Sequence, residues 1–147
     1  MGLKSCLKSL LKRFFGESPA PPADDCHYTS LTRYIYQSGH FSTTRAKPGA
    51  FLPPKGNLKT SAGWIDEIDD PEIWEIGDIL GHLRSTPADA QARADFDSSI
   101  LARENLTIEP DPNHHPRHVN LAGWPAEKDA QKDIALALVA GSKLQIR

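Results

Sequence analysis

Cysteine is nearly missing: Cys6 and Cys26 are the only two in 147 residues. Both lie before the expected core, so they make no disulfide framework. That excludes the small disulfide-stapled secreted class and points to a reducing compartment. No apolar run approaches the roughly 20 residues that cross a bilayer. Lysines interrupt the apolar stretch near the N-terminus and no small-residue cleavage site follows, so no secretory signal is expected and the cytoplasm is the expected location. Glycine-rich phosphate loops of the Walker or Rossmann kind are lacking, as is a G-x-S-x-G nucleophile elbow. A C-x2-C pair is also lacking. A net charge of −2 gives no bulk attraction to nucleic acid.

The charge that is present is unevenly spread. Met1 to Gly16 carries only basic groups, Lys4, Lys8, Lys12 and Arg13, while Asp66 to Asp78 is acidic. In "GLKSCLKSLLKRFF", Leu3, Leu7, Leu10, Leu11, Phe14 and Phe15 recur at helical spacing with lysines opposite. This predicts a basic amphipathic helix able to pack on its own domain, on a partner, or on a membrane surface through residues 3–15. "GESPAPPADD" reads as an extended linker. The expected organisation is an arm and linker over residues 1–25 and one α+β domain over residues 26–147. A short mixed or antiparallel sheet and three to four helices are expected in that domain.

Within the domain, Leu31, Tyr34 and Ile35 suit a short helix face ended by Ser38-Gly39. "LKTSAGWI" alternates as a strand with Leu58, Thr60, Ala62 and Trp64 on one side. "DDPEIWEIGDILGHLR" is the clearest helix, with Asp70 as cap, Pro71 in its first turn and Ile73, Ile76, Leu80 and Leu83 as its buried stripe. Gly77 and Gly81 weaken it and would let another element come close. "TPADAQARADFDSSILARENL" begins like a further helix with Pro87 in its first turn. "LTIEP" and "RHVNLAGW" read as strands, the second with Val119 and Leu121 inward and His118 and Asn120 on the other face. Pro125 opens a last helix, with Ile134 and Leu138 on one stripe and Gly141 as its stop.

The stretch "DPNHHPRHVNLAGWP" concentrates the chemistry. His114, His115 and His118 have spacings that zinc sites use, with Asp111, Cys26, His27 and His40 as further ligand candidates, but Pro116 breaks any helix through them. The prolines after Asp111 and His115 instead fix an extended approach to a strand. On that reading no metal or cofactor is expected. Arg117 and His118 then carry the functional content, as a fork for an anion beside a group that titrates near neutrality. Arg33, Arg45 and Lys47, interleaved with Tyr28, Tyr34, Tyr36 and Phe41, form a second cationic stretch that could grip phosphates or stack bases, although the aromatics are more simply core. Cys26 beside His27 gives no argument for a thiolate–imidazole pair, because sequence neighbours do not set that geometry.

"HFSTTRAKPGAFLPP", "LKTS…IDEIDDPEIWEIGD" and "PRHVNLAGWPAEKDAQKDIALAL" resemble a family of small, uncharacterised bacterial proteins over Tyr28 to Ala140. This resemblance implies no activity. "HYTS" at His27 and "IYQSG" at Ile35 are similar to ADP-ribosyltransferase folds. That likeness implies nicotinamide-nucleotide binding at His27, with Ser61 and either Glu104 or Glu109 in supporting roles. The leading expectation is a bacterial cytoplasmic binding or accessory protein. It would engage a phosphate-bearing small molecule or an acidic protein partner through Arg45, Lys47, Arg117 and His118. Nucleic acid is a lesser possibility. The alternatives are a nucleotide-chemistry enzyme, either ADP-ribosyltransferase-like or a His-ligated metal hydrolase, and a module anchored by its N-terminal helix.

Overall fold

Six strands, β1 (Ser30–Ile35), β2 (Thr60–Trp64), β3 (Ala92–Asp97), β4 (Thr107–Pro110), β5 (His118–Ala122) and β6 (Ser142–Ile146), make one sheet in the order β4-β5-β2-β1-β3-β6. Every pairing is antiparallel. Among the described residues three helices, α1 (Asp70–His82), α2 (Ser99–Arg103) and α3 (Lys128–Ala140), and two single-turn 3₁₀ segments, Ser38–His40 and Pro48–Ala50, complete an α+β fold. The computed structural model describes residues 28–147. The arm, the linker and its boundary, the membrane contact of residues 3–15, and the parts given to Cys6, Cys26 and His27 lie outside the described residues.

The two faces of the sheet bury different partners. On one, Leu31 and Ile35 of β1, Ala62 and Trp64 of β2, Ala94 and Phe96 of β3, and Val119 and Leu121 of β5 form a single apolar cluster with Phe51 and with Ala135 and Leu138 of α3. On the other, Tyr34 packs with Ile73, Ile76 and Leu80 of α1. The sheet is therefore covered on both sides at its centre, where β1 lies.

Helix α1 is seated by the two glycines. A Cβ at Gly77 would stand 2.5 Å from the Tyr34 ring, and one at Gly81 would stand 1.9 Å from the Ala88 carbonyl oxygen. The tyrosines that occupy this groove also donate to the helix backbone, Tyr34 to Ile73 O and Tyr36 to Gly77 O, each at 2.7 Å. Close approach and hydrogen bonding are two parts of one device.

Several expectations are corrected. The cap of α1 is Asp69, whose carboxylate accepts from Glu72 N, and Asp70 is its first residue. Leu83 lies outside the buried stripe, 57% exposed just past the helix end. The segment Ser30–Ile35 is a strand, because it is buried on both faces and shows no one-sided alternation. Ala92–Asp97 is also a strand: Ala92, Ala94 and Phe96 face the core, and tertiary packing overrides alanine's helix preference. Only Ser99–Arg103 of that stretch is helical. The last helix starts at Lys128, with Pro125 held back as an acceptor for Gln131 Nε2 at 2.7 Å. Beyond Gly141 the chain adds β6, pairing with β3.

Candidate functional site

Strands β1 and β2 pair only through Leu31↔Trp64 and Thr32↔Gly63. On their other edges β1 pairs with β3 along its whole length, Ser30 to Ile35, and β2 pairs with β5 from Thr60 to Gly63. Arg33 bridges the gap. Its Nε donates to Ala50 O at 2.7 Å and its Nη1 to Ser61 O at 2.8 Å, so a guanidinium serves a carbonyl that no β1 ladder bond reaches. A cavity of about 430 Å³ opens here, lined among others by Arg33, His40, Lys59, Ser61, Leu80 and Arg84. Its described lining holds three permanent cations and no carboxylate. Arg84 lies over the Tyr36 ring, 4.4 Å from its centroid. Lys59 is shared with Glu109, 2.8 Å away at the surface. Burial lowers the Arg33 pKa to about 10, far enough above neutrality to keep its charge. His40 is held below the usual histidine value by burial and then by the charges of Arg33 and Arg84.

A second cavity of about 270 Å³ adjoins the first, with Ser61, Leu80 and Arg84 in the lining of both. It contains His118, Asp111, His114 and Asn120. The register explains the placement. Gly63 pairs with His118 and Ser61 with Asn120, so His118, Ser61 and Asn120 share one face. His118 is buried and bonded at both ring nitrogens. Nε2 meets Ser61 Oγ at 2.6 Å, and Nδ1 meets Asp111 O at 3.1 Å and Asp111 Oδ2 at 3.3 Å. Asn120 Nδ2 donates to the same Oδ2 at 3.3 Å.

The tautomer follows from these partners. A carbonyl and a carboxylate can only accept, so Nδ1 carries the proton. Nε2 is then the acceptor, and the Ser61 hydroxyl is the donor. Burial holds the His118 pKa below its ordinary value of 6.5, against the raising effect of Asp111, so the imidazole is neutral at neutral pH. The group is thus a base in contact with a hydroxyl, oriented from behind by Asp111.

Asp111, His114 and His118 also place a possible ligand atom each within 4.8 Å of one another. That spread exceeds the roughly 3.4 Å between ligand atoms of a tetrahedral zinc with bonds near 2.1 Å. The pair separations of 3.6 Å from His114 and 3.3 Å from His118 to Asp111 Oδ2 come closer. Cation binding there needs His114 to swing in and Nδ1 of His118 to give up its proton.

The residues singled out from sequence are separated. Arg117 and His118 point to opposite faces. Arg117 is buried on the core face, lies 4.2 Å over the Trp64 ring and donates to Trp64 O and Asp66 O. Arg45 and Lys47 are exposed at the bridge between Phe41 and Ala46 and line neither cavity. His118 alone of the four lies in the site. Arg33, part of the second cationic stretch read from sequence, and Arg84, which that reading passed over, supply the cationic character of the site. Ser61 and Glu109 sit on the same face, two strands apart, with Asn120 between them, whereas Glu104 caps the end of α2.

No helix among the described residues is long and apolar enough to cross a membrane. No protein-family model matches the chain, and comparison with curated proteins and with solved structures finds no match.

Proposed function

We propose that the cleft between β1 and β2 binds a small ligand bearing phosphate or carboxylate. One observation carries this reading: Arg33, Lys59 and Arg84 line a cavity whose described walls hold no acidic side chain. Cations enclosed by low-dielectric walls attract anions more strongly than the same charges on an open surface. Arg33 is committed to two backbone carbonyls and contributes mainly charge. Arg84, which lies over the Tyr36 ring, contributes a guanidinium fork. The bacterial cytoplasmic setting belongs to the same proposal and rests on sequence: the resemblance to small bacterial proteins and the scarcity of cysteine. The anion site expected at Arg45, Lys47 and Arg117 is moved to Arg33 and Arg84.

Calorimetric titration of the full chain with pyrophosphate and with citrate tests this. Binding should weaken as salt rises. Arg84→Ala should raise Kd about tenfold, the effect of losing one charge-assisted contact. The double variant Arg45→Ala/Lys47→Ala should bind as the parent does. An absence of heat with both anions would reject the reading, and a loss that follows Arg45 and Lys47 would move the site to their loop.

A further inference from the structure

We infer that Ser61 and His118 form a nucleophile and general base, and that the protein hydrolyses carboxylic esters whose acyl part carries a negative charge. The choice of an anionic acyl group rests on the anion-binding reading above; the catalytic pair does not. The pair stands on geometry. Ser61 Oγ and His118 Nε2 are 2.6 Å apart, a contact as short as hydroxyl hydrogen bonds usually become. Nδ1 faces two oxygens that can only accept, which fixes the proton there and leaves the Nε2 lone pair for the hydroxyl. Nucleophile, base and orienting group thus stand in the order that serine hydrolysis needs, reached by strand register rather than by a sharp elbow. Asp111 is a positioning residue.

Ser61 also lies where the two cavities meet, so a substrate can occupy the cationic cleft while its acyl carbon reaches Oγ. Arg84 lines both spaces and is placed to balance negative charge developing on the acyl oxygen. In the first step Ser61 Oγ bonds to the acyl carbon while its proton passes to Nε2. The ester C–O bond breaks, and the alcohol leaves with that proton. Water then adds to the acyl-serine and gives a proton to Nε2. The C–Oγ bond breaks, and the proton returns to Ser61. The net change is ester plus water to acid plus alcohol.

The test uses the full chain, a fluorophosphonate probe, the neutral ester p-nitrophenyl acetate and the anionic ester mono-p-nitrophenyl succinate. The probe should add covalently to Ser61, located by peptide mass spectrometry. Both esters should turn over, the succinate with kcat/KM about tenfold higher. Ser61→Ala should abolish labelling and turnover, and His118→Gln should reduce turnover by about a hundredfold or more with unchanged circular dichroism. If Ser61→Ala misfolds, Ser61→Cys keeps the test open through alkylation of the new thiol by iodoacetamide.

The groups around His118 are Ser61 from β2 and Asp111, His114 and His115 from the β4–β5 turn, with Arg84 after α1 in the lining of the same cavity. Loss of the Asp111 charge should lower the imidazole pKa further, so Asp111→Asn should move the acid limb of the kcat/KM profile to lower pH. A merely structural role would not move that limb. Failure of the probe to label the folded parent would overturn the proposal. So would turnover that survives Ser61→Ala and is abolished by EDTA, which would instead assign a metal centre to Asp111, His114 and His118. Equal rates on the two esters would keep the catalytic pair and remove the anionic substrate class.

Discussion

Arg117→Ala should destabilise the fold by about 4 kcal/mol, measured by urea denaturation. Arg117 is the largest of the fully buried side chains, at 1% exposure. Its guanidinium covers the Trp64 ring at 4.2 Å, and its Nη1 donates to Trp64 O at 3.1 Å and Asp66 O at 2.8 Å. These contacts fasten the entry of β5 to the exit of β2. The same turn is clipped to β1, because the Asp66 carboxylate accepts from the backbone of Thr29 and Ser30 and from Trp64 Nε1. Truncation opens a cavity against Trp64 and leaves two carbonyls without this donor. Cavities of this kind cost about 2–5 kcal/mol, and each stranded polar group about 1–3. Arg117→Met restores much of the volume but no donor, so its loss should be smaller, roughly 2 kcal/mol. A change under about 1 kcal/mol for the alanine variant would show that neither cavity nor carbonyls matter. Anion binding by the fraction that remains folded should be unaltered, because Arg117 lines neither cavity.

The contrast between Arg117 and His118 shows how much of the site the sequence could carry. Alternation along "RHVNLAGW" correctly puts Val119 and Leu121 inward and His118 on the other face. The same pleat sends Arg117 inward with Val119, so grouping Arg117 with His118 ran against a signal already in the strand. β2 was legible for a related reason: its alternating residues meet unlike surroundings. β1 was not, because Leu31, Thr32, Tyr34 and Ile35 are all buried and the period of two is lost. β3 was hidden by its alanines. The partnership of Ser61 with His118 joins residues 57 positions apart and depends on the β2–β5 register, which no local pattern encodes. Arg33 and Arg84 gain their role only because β1 and β2 part after two pairs. Gly77 and Gly81 were legible as a place of close approach, although not as the seat of tyrosine rings.

That seat yields the second large expected effect. Gly81→Ala should destabilise the protein by about 3 kcal/mol, although alanine improves intrinsic helix propensity by about 1 kcal/mol. The added Cβ would stand 1.9 Å from Ala88 O and 2.6 Å from the Tyr36 ring. The carbonyl cannot easily retreat. Ala88 N donates to Gly81 O at 3.2 Å, and Ala90 N to Asp78 Oδ1 at 3.1 Å, so the segment after α1 is tied back to the helix from two points. Gly77→Ala meets a side chain instead, the Tyr34 ring at 2.5 and 2.6 Å. The two sites should therefore respond differently to relief. Tyr34→Leu should offset part of the Gly77→Ala loss, giving a coupling of about 1 kcal/mol in a double-mutant cycle. No truncation of Tyr36 should rescue Gly81→Ala, because the closest obstacle is backbone. The consequence reaches the cleft, since Leu80 and Arg84 line it and flank Gly81 on the chain. If the helix end lifts to relieve the clash, Arg84 moves with it, and pyrophosphate affinity should fall in Gly81→Ala by about as much as in Arg84→Ala. A Gly81→Ala protein as stable as its parent in thermal and urea denaturation would show that the 83–90 segment yields freely, and would remove the basis for treating Arg84 as fixed in place.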